Sequence, residues 1–342
     1  MLMLLVVFSL VASACATEVD GGACADPDGV VASFDSAEVS AFVLASGFDA
    51  GQLDRMIAAP DEGPFYTFDL VGRSADSPLV EMADFVDLVG AEVVFRAQVD
   101  EQIQQIGGDD VDWQSVTVIE YPCAAAQLAL LIDPVFREAV EEGSYDRESR
   151  LTLIASPQPL PAPSDPEQEN AAFPPSADDP SFDLIHVMAF HDVAQYEPDS
   201  DEPERSGLEA WGQYQSGGRT ASLELGLYPT AILDVEGVLA GIDHGWDQVQ
   251  IIHMSSREGF RALLDDETRS AGRYHRYAAL EHNYSLISTP EVSAIPYAFW
   301  GLSLPVLLAG AATAVALVLA GVGWIVVRAV RRRASSDASG TR

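Results

Sequence analysis

The sequence predicts an α+β protein built from two tandem ferredoxin-like βαββαβ units, followed by one transmembrane helix. The first observation is an internal repeat, because the pattern at 113–119 (Trp-Gln-Ser-Val-Thr-Val-Ile) recurs at 246–252 as Trp-Asp-Gln-Val-Gln-Ile-Ile. The second is that both copies contain the same order of strand-like and helix-like segments. The third is a run without charged residues from 298 to 327.

The first copy spans 62–157. Its helix near 78–89 is predicted from apolar residues at helical spacing, and its strands from runs of β-branched and aromatic residues. The predicted elements are, in order, a strand at 64–71, the helix at 78–89, strands at 91–99 and 113–121, helical segments from Pro122 and at 134–142, and a strand at 150–155. This order is the split βαβ pattern.

The second copy spans 182–290 and follows a linker at 158–181 that is rich in proline and acidic residues. Each copy places an aspartate, Asp133 or Asp266, at the same distance from its tryptophan. The predicted elements are a strand at 182–190, a helix at 206–216, strands at 221–235 and 246–254, helices at 256–264 and 267–273, and a strand at 283–288.

The chain begins with a short apolar segment, 1–15, that ends in small residues before Cys15. It is shorter than the roughly 20 residues that cross a bilayer as a helix, so we expect a signal peptide. The small residues before Cys15 resemble a lipobox, which predicts lipidation of that cysteine. The alternative is an ordinary signal peptide that is cleaved near Ala14 or Ala16. The tail that follows, 16–61, carries two predicted short helices.

The uncharged run at 298–327 is long enough for one transmembrane helix. It has aromatic residues near both edges, and the tail at 328–342 begins with four arginines in its first six residues. Basic residues remain in the cytoplasm, so the short tail is expected inside the cell and the large domain outside it. The sequence thus predicts a single-pass protein of the cell membrane.

The formal net charge is −35, and all 18 basic residues are arginines. Such a surface repels nucleic acid, so we predict no nucleic-acid partner. It either attracts cations or basic peptides, or reflects adaptation, since acidic surfaces without lysine suit salty environments and GC-rich genomes. No segment has the ligand spacing of a calcium-binding EF-hand loop, and no metal site is predicted.

Cys24 and Cys123 remain once Cys15 is assigned to the lipobox. In an oxidising compartment they can form a disulfide that ties the N-terminal tail to the first copy. Alternatively, Cys24 lies on a mobile tail and Cys123 is a small apolar residue. Sequence alone leaves both alternatives open.

Two segments carry a resemblance to a known family. The segment 246–260 contains Trp-Asp, an apolar strand and then Ser-Arg-Glu-Gly-Phe, and 275–280 reads His-Arg-Tyr-Ala-Ala-Leu. The first copy has Trp113, Tyr-Pro at 121–122 and Asp-Pro at 133–134. These features resemble the dimeric α/β-barrel superfamily, and within it the uncharacterised domain-of-unknown-function family 1330.

The resemblance implies that the two units close their sheets into one barrel inside a single chain. It therefore implies an intramolecular pseudo-dimer and a monomeric ectodomain. Related families include cofactor-independent monooxygenases, haem-degrading enzymes and small-molecule isomerases, whose pockets lie between each sheet and its helices. No oxygenase or haem-ligand motif is matched in this sequence, so no cofactor is predicted.

The candidate site lies in the second copy, which contains all six histidines of the chain. The predicted pocket residues are His186, Trp211, Tyr214, His253 and Arg276, because aromatic bodies with a few polar tips are typical of small-molecule sites. The alternative is that Trp211 and Tyr214 only pack their helix on the sheet, and that His253 is an ordinary surface or hydrogen-bonded residue.

Three hypotheses for function follow. The first is a non-catalytic binding or interaction domain on the outer face of the membrane, with a small molecule as a candidate ligand. The second is an oxygenase- or isomerase-like enzyme that uses His253 and Arg276 as catalytic residues on a small organic molecule. The third is an acidic surface that collects cations.

Overall fold

The computed structural model describes residues 23–34, 37–73, 80–107, 111–142, 147–160, 172–295, 298–299 and 302–303. The predicted signal peptide with Cys15, the tail at 328–342 and all but four residues of 298–327 lie outside the described residues. Those four residues form an antiparallel pair of two-residue strands, Ala298–Phe299 and Leu302–Ser303. Among the described residues, no helix has both the length and the apolar character needed to cross a membrane.

Eight strands form a closed barrel in which every neighbouring pair is antiparallel. The order around the barrel is β1-β3-β2-β8-β5-β7-β6-β4. The strands are β1 (Phe65–Gly72), β2 (Glu92–Ile106), β3 (Trp113–Tyr121), β4 (Arg150–Pro157), β5 (Phe182–Phe190), β6 (Leu227–Ala240), β7 (Gln248–Met254) and β8 (Leu280–Ser293).

The barrel consists of two equivalent half-sheets. Within each copy the first strand lies between the fourth and the third, and the second strand lies at the edge. The two half-sheets join where the second strand of one copy pairs with the fourth strand of the other, β2 with β8 and β6 with β4. This is the architecture of a dimeric α/β barrel within one chain, which confirms the predicted α+β class and its ferredoxin-like units.

Side chains from both copies fill the barrel interior, because alternate residues of each strand point inward. The repeated tryptophans lie there, with the rings of Trp113 and Trp246 at 5.4 and 5.2 Å from the ring of Tyr284. Fully buried interior residues include Phe68, Leu70, Val118, Leu153, Ile185, Ile251 and Leu286. One shared core of this kind couples the stability of the two copies.

Helices cover the outer face of the first copy. They are α1 (Pro27–Phe34), α2 (Ala37–Ala45), α3 (Ala50–Ala58), a 3₁₀ helix (Met82–Leu88), α4 (Ala124–Ile132) and α5 (Pro134–Glu142). Phe34, Phe42 and Leu53 of the N-terminal helices are buried in one apolar cluster with α4 and α5. A disulfide joins Cys24 to Cys123, with the Cα atoms 5.9 Å apart, so the first predicted alternative for these cysteines is the observed one.

Four helices lie on the outer face of the second copy: α6 (Gly207–Glu224), α7 (Arg257–Asp265), α8 (Glu267–Ala271) and α9 (Arg273–Ala279). A capping box starts α6, since Ser206 and Glu209 exchange side-chain and backbone hydrogen bonds. Ser256 caps the start of α7, and Asp266 caps the start of α8.

Several elements differ from the prediction. The strand predicted at 221–235 begins only at Leu227 and continues to Ala240, because 221–224 belong to helix α6. Helices α1 and α9 were not predicted as separate helices, and β8 is longer at both ends than the predicted 283–288. The helix predicted at 78–89 is a 3₁₀ helix from Met82. Helix α6 continues to Glu224, well beyond 216, although glycine destabilises the interior of a helix. Gly218 is buried in this part of the helix, where it packs against the Arg269 side chain. Strand β2 continues past 99 to Ile106 because it pairs with β8 across the barrel seam.

Candidate functional site

A cavity of about 500 Å³ lies between the outer face of the second copy's sheet and its helices. Strands β5 and β8 contribute its floor, helices α6 to α9 its walls, and β2 of the first copy one residue across the seam. The cavity is lined by Ile103, Leu184, His186, Tyr214, Phe260, Leu264, Asp265, Arg269, Ser270, Arg273, Arg276, Tyr277 and Ser285.

The floor contains His186 and Ser285, which form a hydrogen-bonded row with a third buried polar side chain, Asn283. Ile185 and Val187 of β5 point into the barrel, so His186, which lies between them, points outward toward the helices. The Asn283 amide donates to Ser285 Oγ at 2.9 Å, and Ser285 Oγ lies 2.9 Å from His186 Nδ1. Ser285 Oγ accepts from Asn283, and a hydroxyl has one proton and a second lone pair, so it pairs with Nδ1 in either tautomer of His186.

His186 is uncharged. Burial, together with the nearby positive charges of Arg276 and Arg269, lowers its pKa to about 3. The imidazole therefore offers one donor and one acceptor at neutral pH, without charge.

Three arginines line the opposite side of the cavity. Arg276 is buried, at 6 % exposure, and its pKa is lowered mainly by burial. Burial also lowers the pKa of Arg269, whose guanidinium lies 4.8 Å from the centre of the Tyr214 ring. Arg273 donates to the carbonyl of Leu264. All three remain cationic because arginine keeps its proton in proteins.

The other walls are apolar. Leu184 and Phe260 are buried, and Ile103 and Leu264 complete this side. Ile103 belongs to the first copy, so the closed barrel is required to complete the cavity. An apolar wall that faces a few convergent polar groups is the usual composition of a small-molecule site.

Three of the five predicted pocket residues, His186, Tyr214 and Arg276, line this cavity. Trp211 is buried behind the lining, where its ring contacts the rings of His186 at 6.0 Å and Tyr214 at 5.2 Å. It thus helps to orient two lining residues.

His253 lies elsewhere. It shares a face of β7 with Val249 and Ile251, whose side chains fill the barrel interior, and so lies on the opposite face of the sheet from the cavity. Its Nδ1 is 3.4 Å from an oxygen of Asp183 and its ring 5.1 Å from that of Tyr228. The structure does not bring His253 together with Arg276.

The first copy has a different arrangement at the equivalent place. Strand registers pair Asp69 with Thr152 in copy one and His186 with Ser285 in copy two, which makes these two pairs equivalent. Arg150 is equivalent to Asn283 by the same registers. Arg150 Nη1 donates to Asp69 Oδ2 at 2.7 Å and Thr152 Oγ1 to Oδ1 at 2.6 Å.

Sequence reasoning missed two of the three residues in the polar row and two of the three arginines. The missed residues are Asn283, Ser285, Arg269 and Arg273 in the second copy, and Asp69, Arg150 and Thr152 in the first. The signal was available, because the constant spacing between the copies aligns buried polar positions of one fourth strand with those of the other. Only the strand registers and burial show that these positions face the helices.

No family model and no curated protein matches the chain. Among solved structures, a protein of unknown function from Rhodopseudomonas palustris is similar at TM-score 0.30 and 25% identity, covering 32% of this chain and 84% of that chain. A dye-decolorizing protein from V. cholerae matches at TM-score 0.38 and 10% identity, covering 67% and 94%. A mutant chlorite dismutase from Candidatus Nitrospira defluvii matches at TM-score 0.33 and 12% identity, covering 68% of this chain and 93% of that chain.

All three TM-scores are below 0.5, so these similarities carry no argument about activity. The barrel assignment stands on the strand pairing of this chain.

Proposed function

We propose that this chain is a non-catalytic binding protein whose second copy holds a small organic molecule. The observation that carries the proposal is the cavity of about 500 Å³, which has polar groups on two sides and apolar side chains on the others. Its volume falls within the range of roughly 300–1,000 Å³ that is typical of ligand pockets.

Binding is favoured over catalysis by the state of His186. A general base works best when its pKa lies near the operating pH, and a pKa of about 3 makes His186 a weak base. The two residues considered for the enzyme hypothesis, His253 and Arg276, lie on opposite sides of the sheet. A neutral histidine that is fixed by Ser285 is suited to orient a bound molecule by hydrogen bonding.

The test is native mass spectrometry of the full-length chain in detergent, with two matched tryptophan variants. Ser270 lies at the exposed edge of the cavity, and Ser270→Trp narrows it; Ser216→Trp places the same bulk on an exposed position of α6 outside the cavity. We expect a small-molecule adduct on the wild type and on S216W, and its loss from S270W. A bare wild type that also binds no compound from a small-molecule screen would contradict the proposal.

We also propose that the domain works outside the cytoplasm, anchored by 298–327, with 328–342 inside and one molecule as the functional unit. The Cys24–Cys123 disulfide supports this location, because such bonds persist in oxidising compartments. The closed intramolecular barrel supports a monomeric ectodomain, and the net charge of −35 disfavours nucleic acid as a partner. Reporter fusions at either end of the chain test the topology; an active cytoplasmic reporter at the N-terminal side would contradict it.

For the copies themselves, we infer a relationship to the domain-of-unknown-function family 1330. The Trp-Asp, Ser-Arg and His-Arg features support it, since they occur at a strand entrance, a helix start and helix α9 respectively.

A further inference from the structure

We propose that the cavity of the second copy takes an organic anion, a carboxylate on an apolar body, and that Arg269, Arg273 and Arg276 bind the carboxylate. This inference rests on the proposed binding function and names the ligand class of the same cavity. Four observations support it.

The first observation is the internal ion pair of the first copy. There the chain itself provides a carboxylate and a guanidinium, Asp69 and Arg150, both 1 % exposed and joined at 2.7 Å. In the second copy, the equivalent of Asp69 is the neutral His186. The chain therefore supplies no carboxylate at this position of the floor.

The second observation is the helix side of the same space. Helices α4 and α7 end at Ile132 and Asp265 and have equivalent C-cap residues, Asp133 and Asp266, which align the sequences that follow them. Arg269 thus aligns with Phe136, since each is the third residue of the following helix, and Arg273 aligns in sequence with Val140. Phe136 and Val140 are buried in the apolar cluster of copy one. The second copy has cationic side chains at two positions that the first fills with apolar ones.

The third observation is the charge around the cavity. Three of its lining residues are arginines and one, Asp265, is a carboxylate. Asp266 lies nearby, but its side chain accepts from the backbone N–H of Arg269 as the cap of α8. In a chain of net charge −35 this excess of positive charge is a local reversal. Arg276 is buried and Arg269 partly buried, and each is repelled by the neighbouring arginines, so an anion placed between them stabilises both.

The fourth observation concerns the rest of the ligand. Leu184, Phe260 and Ile103 form a wall without charge, which an inorganic ion leaves uncovered. A cavity of about 500 Å³ is also much larger than a phosphate ion requires. An aromatic or aliphatic body attached to the carboxylate covers this wall, and His186 supplies a hydrogen bond near it.

The experiment compares acids with their neutral isosteres by isothermal titration calorimetry on the full-length chain in detergent. The probes are benzoate, naphthalene-2-carboxylate and decanoate, the primary amide of each, and inorganic phosphate. We expect at least one acid to bind about tenfold or more tightly than its amide, because charge-assisted bonds to arginine are about twice as strong as neutral ones. We expect phosphate to bind more weakly than that acid.

Two variants locate the effect. Arg276→Gln or Arg269→Gln should reduce the preference for acid over amide to less than about threefold. The control Arg219→Gln, on an exposed position of α6 outside the cavity, should leave the preference unchanged. Far-ultraviolet circular dichroism checks that each variant is folded, and Arg269→Gln serves if Arg276→Gln does not fold.

The outcomes separate the two proposals. If acids and amides bind equally and Ser270→Trp blocks both, the ligand is not an anion, although the cavity remains a binding site. Phosphate that binds as tightly as the best acid would refute the organic body. An absence of binding by every probe, together with a bare chain in native mass spectrometry, would overturn both proposals. A preference that survives in both arginine variants would also refute the assigned role of the arginines.

Discussion

Loss of Arg150 should destabilise the whole barrel. Its guanidinium bonds to Asp69 Oδ2 and to the carbonyl of Val80, and both charged side chains are almost fully buried. Arg150→Met keeps an unbranched side chain but leaves the Asp69 carboxylate buried without its counter-charge. Removal of one partner of a buried ion pair costs about 3–5 kcal/mol in free energy of unfolding.

The pH dependence of this loss in free energy of unfolding is a sharper test than its magnitude. Burial raises the pKa of Asp69, whereas Arg150 is the largest influence that lowers it. In Arg150→Met the pKa of folded Asp69 therefore rises further above its value in the unfolded chain. A carboxyl group whose pKa is raised on folding increases the free energy of unfolding at low pH, and this contribution is lost as the pH rises through the folded-state pKa. The stability of the variant should therefore approach that of the wild type as the pH falls through the folded-state pKa.

The assay is urea unfolding of the full-length chain, followed by tryptophan fluorescence at several pH values. Arg219→Met, on an exposed position, should change the free energy of unfolding by less than about 0.5 kcal/mol. The double variant Asp69→Leu with Arg150→Met should recover part of the loss, because no charge is then buried alone. A loss below about 1 kcal/mol in Arg150→Met, equal at every pH, would refute the reasoning.

Three further predictions concern the rest of the fold and the cavity. Cys24→Ser should lower the free energy of unfolding by about 2–5 kcal/mol, since the disulfide closes a loop of 99 residues; denaturation with and without reductant checks it, and an equal effect of reductant on both proteins would count against it. Arg276→Gln should raise the pKa of His186 above about 3, because the charge of Arg276 is the second cause of its depression after burial; NMR titration of the imidazole measures this, and an unchanged or lower pKa would contradict it. Leu153→Ala and Leu286→Ala should each cost about 2–5 kcal/mol and unfold both copies in one transition, since both residues are fully buried in the shared interior; two resolved calorimetric transitions would show that the copies are independent.

Local pattern was sufficient for some of the strands. The strands at 113–121 and 182–190 begin and end where their apolar and β-branched residues predict, because the side-chain period of two is encoded locally. The end of β2 was not predictable in this way. Ile106 is in a strand because β8, nearly two hundred residues away, provides its hydrogen-bond partners.

The site shows the same division. His186, Tyr214 and Arg276 were predicted from residue type and from the concentration of histidines in the second copy. His253 is also a histidine of the second copy, but it lies on the inward face of the sheet, since a shift of one residue along a strand moves a side chain to the opposite face. Residue type alone could not distinguish His253 from His186.

The sequence by itself determined that the chain contains two βαββαβ copies, because a repeated hydrophobic pattern of fixed spacing specifies local structure in each. Tertiary structure alone decided that the two half-sheets close on each other and that Asp69 pairs with Arg150. It also decided that three arginines of the second copy converge on a neutral histidine. The physical reason is that closure, charge pairing and cavity formation depend on side chains that meet across strands and helices distant in the chain, where local periodicity carries no information.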